Sequence, residues 1–231
     1  MIDELSIVMP CEENRIPLLM FTLGTYIKKG FPFERVEFIV VSRTIEDFNL
    51  PALDIKLVKY KWGGEYFNPA MALNLGVKNA KYKNIMITCP EVIPVTNVLE
   101  QLNRNIRGNY ICQVFDQGKD GERTMSLVNS SFRATPNMYF MAVFKKEDIE
   151  AINGWDEDFM GGYAWEDDDF GRRFIQAGIK YTMKDSIVGE HQYHPRFKLN
   201  TDGSARNKYI LDNKQRNNTH YYCKNGLRKS E

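Results

Sequence analysis

The chain opens with a short, largely apolar run from Leu5 to Met9, closed by Pro10, and then changes period. From Arg15 to Lys29 the residues Ile16, Leu19, Leu23 and Ile27 recur at helical spacing, and Gly30 ends the stripe. This switch predicts a buried strand followed by an amphipathic helix. Val36 to Ser42 and Ile55 to Tyr60 read as the second and third strands. Ala70 to Lys81 reads as a second helix through Ala70, Leu73, Val77 and Ala80, and Asn84 to Cys89 as a fourth strand. Strands alternating with helices over this first part predict a mostly parallel sheet with helices on its faces. Such sheets bind ligands beyond the carboxyl ends of their strands. The segments that follow strands one and four, Pro10 to Arg15 and Cys89 to Pro94, are therefore the candidate binding loops, and both carry acids.

The second half is less regular. Asn109 to Val114 and Met138 to Phe144 predict strands with a turn at Gly118, Asp120 and Gly121 between them, and Lys146 to Ile152 predicts a short helix. A further helix is expected from Phe170, with Gly178 as its C-terminal cap. Residues 200–231 hold seven Lys/Arg against three Asp/Glu, yet Tyr209, Ile210, Leu211, Tyr221 and Tyr222 argue for a helical or partly ordered extension rather than simple disorder. The chain has 231 residues and neither an internal repeat nor a low-complexity tract. It reads as one domain over residues 1–199 followed by this basic extension.

Composition narrows the classes. A formal net charge of +1 argues against a protein whose main task is coating nucleic acid. Cys11, Cys89, Cys112 and Cys223 are scattered with no paired spacing, which points to reduced thiols rather than a disulfide framework or a zinc site. No apolar run reaches the roughly 18 residues needed to span a bilayer, and the N-terminus lacks a basic segment followed by a long apolar stretch. A cytoplasmic protein is expected, with the basic tail available for peripheral contact with an anionic membrane.

The strongest chemical signal is acidic. Between Glu147 and Asp169 there are ten acidic residues and no Lys or Arg, and the stretch ends in Trp165-Glu166-Asp167-Asp168-Asp169. Four adjacent carboxylates repel one another and persist where solvent, a cation, a helix N-terminus or a reaction uses their charge. A helix start and a catalytic cluster are both consistent with this position.

Three segments, in this order, resemble the GT-A glycosyltransferases, especially family 2 and the β-1,4-galactosyltransferases. They are Met9-Pro10-Cys11-Glu12-Glu13-Asn14-Arg15 after the first strand, the run from Phe67 and Asn68 through Asn74 to Gly76, and Asn153-Gly154-Trp155-Asp156 with Trp165 to Asp169. Ile85 to Pro94 occupies the place of the family's Asp-x-Asp metal motif. The resemblance covers about residues 4–195. It implies an α/β, Rossmann-like GT-A fold with a central, mostly parallel mixed sheet flanked by helices. The nucleotide-binding half would be about 1–95 and the acceptor half about 96–199.

The resemblance also implies a role in glycan biosynthesis. A hexose or N-acetylhexosamine would pass from a nucleotide sugar, with UDP the expected nucleotide, to a hydroxyl of a glycan or glycoconjugate, with inversion. Asp167 would be the general base with Glu166 beside it, while Tyr163, Trp165 and Asp168 would meet the acceptor. Pro10, Glu12, Arg15, Phe67, Asn68, Asn74 and Cys89 would surround the nucleotide and donor sugar. Glu91 and His191 would hold Mn²⁺ or Mg²⁺ on the diphosphate. The chain departs from the family at Cys89, which stands where the motif's first Asp would be, at Val40-Val41-Ser42-Arg43, which lacks the usual acid, and at Pro69, which replaces an Arg. These departures keep a catalytically silent sugar-nucleotide or carbohydrate binding module as the alternative, and a retaining transferase on the same fold as a third reading.

Overall fold

Continuous apolar runs become central strands. Strands β1 (Leu5–Pro10), β2 (Val36–Ser42) and β4 (Asn84–Thr88) are buried along their whole length, and β3 (Ile55–Lys59) is the half-exposed edge. They pair in parallel in the order β3-β2-β1-β4. The structure, a computed structural model, describes residues 4–29, 35–48, 50–64, 67, 69–102, 107–128, 135–161, 164–195, 201–216 and 221–227.

The helices that cover these strands follow the apolar stripes. A 3-10 turn at Glu13–Arg15 leads into α1 (Ile16–Lys28), which buries Leu19, Leu23 and Tyr26. Helix α2 (Pro69–Asn79) lies so close to β1 that a Cβ on Gly76 would stand 2.2 Å from Val8 Cγ1, so only glycine fits there.

The rest of the sheet is mixed. It contains β5 (Val92–Pro94), β6 (Asn109–Gln117), β7 (Arg123–Ser126), β8 (Met141–Lys145) and β9 (Tyr181–His191), and its order continues β4-β8-β6-β9-β5 with β7 on β6. Only β6 and β9 are parallel here; β4–β8, β6–β8, β6–β7 and β5–β9 are antiparallel. Parallel pairing is thus concentrated in the first half. The turn at Gly118 to Gly121 is present, with Gly121 at φ +81, and it closes the β6–β7 hairpin.

The remaining helices are α3 (Val98–Leu102), α4 (Lys146–Ala151), α5 (Glu166–Gln176) and α6 (Thr201–Arg216). Helix α5 starts at Glu166 rather than at Phe170, so the four carboxylates form its first turn, where free backbone N–H groups favour negative charge. Gly178 follows it with φ +74, and its N–H donates to Ile175 O.

The basic tail packs onto the acceptor half. Helix α6 meets a 3-10 turn at Glu157–Gly161, and residues 221–227 return to Asn153. Asn153 Nδ2 donates to Cys223 O at 2.7 Å, Leu227 N to Asn153 O at 2.8 Å, and Glu157 N to Asn225 O at 2.7 Å. All four cysteines are unbonded and buried. Among the described residues no helix is long and apolar enough to cross a membrane.

Candidate active site

The parallel strands end together, and their following loops form a cleft. Arg43, just beyond β2, donates from Nε to Glu12 Oε2 at 2.6 Å and from Nη1 to Gly64 O at 2.8 Å. It therefore joins the loop after β1 to the loop after β3. A cleft of about 530 Å³ opens between Arg43, Thr44, Tyr60, Lys61, Trp62 and Gly63. Among the described residues, the second oxygen of Glu12 is buried without a hydrogen-bond partner. Burial, and then the Glu12 carboxylate, push the Tyr60 phenol up, so Tyr60 is a neutral hydroxyl donor near this acid. A buried acceptor atom beside a guanidinium suits the polar edge of a nucleobase. Pro10, half of the expected wall, is buried in the pairing of β1 with β2.

Next along the cleft is the segment that follows β4. Arg15 Nε lies 3.1 Å from Glu91 Oε1, with both side chains largely buried. Cys89 is buried, and its thiol is pushed well up by burial and then by the Glu91 charge. The Tyr139 hydroxyl is its neighbour, and burial, together with Cys89 and Glu91, holds that phenol protonated as well. A protonated thiol is a poor ligand for a hard cation, so Cys89 does not replace the missing Asp.

His191 sits in cross-strand register with Val92 on one side and Asp116 on the other. Asp116 Oδ1 is 3.0 Å from His191 Nδ1, a contact that orients the ring through that nitrogen. Burial lowers the His191 pKa against the opposing pull of Glu91 and Asp116, keeping the imidazole neutral. Among the described residues no three His, Cys, Asp or Glu side chains converge as a self-sufficient metal site. The charge of Glu91 reaches the His191 imidazole, and the two would hold a divalent cation only with oxygens supplied by a ligand and water.

The acceptor side is built by the start of α5. Asn137 Nδ2 donates to Asp167 Oδ2 at 2.8 Å, and the Asp168 backbone N–H donates to Asp167 Oδ1 at 2.9 Å. Asp167 is close enough to Cys89 for its charge to raise the thiol, and Glu166 acts likewise on Tyr139. Glu166 and Asp168 are buried, and Trp165 is half-buried. Asp169 turns away into a buried ion pair with Arg173, 2.7 Å from Oδ2 to Nε.

Two expected site residues lie elsewhere. Asn74 is buried, and its amide spans to Trp155 O at 2.8 Å, Trp155 N at 2.9 Å and Glu157 Oε1 at 3.0 Å, tying α2 to the acceptor half. Phe67 packs against the hydrophobic core. Asn68 and Tyr163 fall outside the described residues. Arg43, Tyr139, Asn137 and Asp116 are the additions that the structure makes.

Comparison with known proteins bears on this geometry. Residues 133–195, which include the carboxylate turn and His191, match the family model described as the N-terminal domain of galactosyltransferase. The same architecture is found in solved glycosyltransferase structures. This is the GT-A glycosyltransferase fold. GalNAc-T7, crystallised with UDP, GalNAc and Mn²⁺, has a TM-score of 0.66, with 12% identity over 92% of this chain and 48% of that one. TarS 1-349 of S. aureus in complex with UDP has a TM-score of 0.64, with 12% identity over 90% of this chain and 64% of that one. The mannosyltransferase PcManGT from Pyrobaculum calidifontis, in complex with GDP-Man and Mn²⁺, has a TM-score of 0.58, with 15% identity over 85% and 60%. The chain therefore spans less than two thirds of each of these GT-A proteins. No curated protein matches it in sequence.

Proposed function

We propose that this chain transfers a sugar from a nucleoside diphosphate to a hydroxyl acceptor in a single inverting displacement. The observation that carries the reading is that the loops after β1, β2 and β4 carry the Glu12–Arg43 and Arg15–Glu91 pairs, while the charge of Asp167, a carboxylate held by Asn137, reaches Cys89 in the β4 loop. The base and ribose enter beside Arg43 and Tyr60. UDP is the preferred nucleotide, because GT-A proteins crystallised with UDP share the fold.

Asp167 takes the proton of the acceptor hydroxyl as that oxygen attacks the anomeric carbon from the face opposite the diphosphate. Asn137 and the Asp168 amide hold the carboxylate in place. Glu166 places the acceptor, and the indole of Trp165 offers an apolar face to a pyranose. Arg15 directs positive charge towards the departing diphosphate. Glu91 and His191 would hold a divalent cation there, whose charge neutralises the leaving group.

Calorimetric titration with UDP, GDP and CDP, with Mn²⁺ and then with chelator, tests the donor half. Selective, metal-dependent binding of one nucleotide supports the reading. Absence of binding to all three would favour a silent carbohydrate-binding module, the alternative that Cys89 in the metal motif keeps open.

A further inference from the structure

We propose that α6 clamps the acceptor side of the site, with Asn207 as its positioning residue. Asn207 is fully buried, and its Nδ2 donates to two carbonyls, Phe159 O and Ala164 O, both at 2.9 Å. One side-chain amide thus ties together the two approaches to the carboxylate turn. The residues it fixes are not relaxed: Ala164 has φ 65 and Trp165 has φ 77, left-handed values that side chains other than glycine rarely adopt and that persist where the surroundings enforce them. The same helix holds the Trp165 side chain. Its indole Nε1 donates to Ser204 Oγ at 3.1 Å, and Lys208 Nζ stands 5.4 Å from the ring centroid. Arg206 lies over Gly161, where an added Cβ would collide with its guanidinium. Helix α6 therefore sets where Trp165 points and where α5 begins, and through α5 it sets the position of Glu166 and Asp167.

This inference rests on the proposed acceptor role of Trp165 and Asp167, and its test separates the two. In the full chain, Asn207→Ala and the milder Ser204→Ala are compared with wild type by amide hydrogen exchange and by turnover. Exchange at Ala164 to Asp169 rises about tenfold or more in Asn207→Ala and less in Ser204→Ala, while β1, β2 and β4 stay protected. With UDP-N-acetylglucosamine as donor and methyl glycosides of glucose, galactose and N-acetylglucosamine as acceptor probes, transfer to sugar falls about 100-fold in Asn207→Ala. Transfer to water and affinity for UDP stay within about twofold. Unchanged exchange in this segment, or equal loss of transfer to sugar and to water, overturns the clamp. A wild-type protein that turns over no donor removes the functional reading, and the exchange result still decides the clamp. If Asn207→Ala does not fold, Ser204→Ala carries both readings in the same directions.

Discussion

Asp167 and Asp169 stand in one helical turn and do different work. Asp169 neutralises Arg173 in the interior, whereas Asp167 is held by the Asn137 amide. A similar division separates Cys89 from Glu91, since burial keeps the thiol protonated while the carboxylate pairs with Arg15. Glu91→Gln should weaken metal-dependent UDP binding about tenfold, while Cys89→Ser should leave it within about twofold, both read by titration. Arg43→Ala leaves the largely buried Glu12 unpaired, and about a tenfold loss of nucleotide affinity is expected in the same titration. Glu12, Glu91, Glu166, Asp167 and His191 were all legible in the sequence as chemistry-bearing residues near predicted loop or helix ends. Arg43 and Asn137 were not, because their partners lie 31 and 30 residues away and no local pattern records such pairing.

At the level of elements, periodicity carried the first half well. Strands buried on both faces and helices with one apolar stripe are what hydrophobic spacing encodes most directly. Strand β9 was visible only near its end, since Tyr181 to Ser186 is mostly polar and alternates poorly with burial, and β5 is three residues long. Spacing indicates a short helix over Phe170 to Gly178 with an acidic first turn, and its onset at Glu166 depends also on the left-handed Ala164 and Trp165 and on ties from α6, neither of which appears in local spacing. Helix α5 is anchored by Arg173, which also donates to Ile152 O and Gly154 O at 2.8 Å each. Arg173→Met strands Asp169 and two carbonyls in the interior and should cost about 3 to 5 kcal/mol, measured by urea unfolding.

On the scale of the whole molecule, the tail is joined to the domain rather than appended to it. Leu211, Cys223 and Leu227 are buried, and Lys214 pairs with Asp156 and Asp158. Removing residues 201–231 exposes the surfaces these side chains cover and should lower the melting midpoint by roughly 10 °C or more in a thermal scan. The composition of the tail signalled its charge and its aromatic content, but the packing on Asn153 and Phe159 is a tertiary fact. The two halves meet where the donor loops approach the first turn of α5, and the account stands or falls on chemistry at that junction. Its most direct test is release of nucleoside diphosphate from a panel of UDP- and GDP-sugars, measured for wild type and Asp167→Asn beside the nucleotide affinity of each. The account predicts turnover by wild type that falls about 1,000-fold or more in Asp167→Asn with affinity unchanged. Wild-type turnover in Asp167→Asn would contradict it.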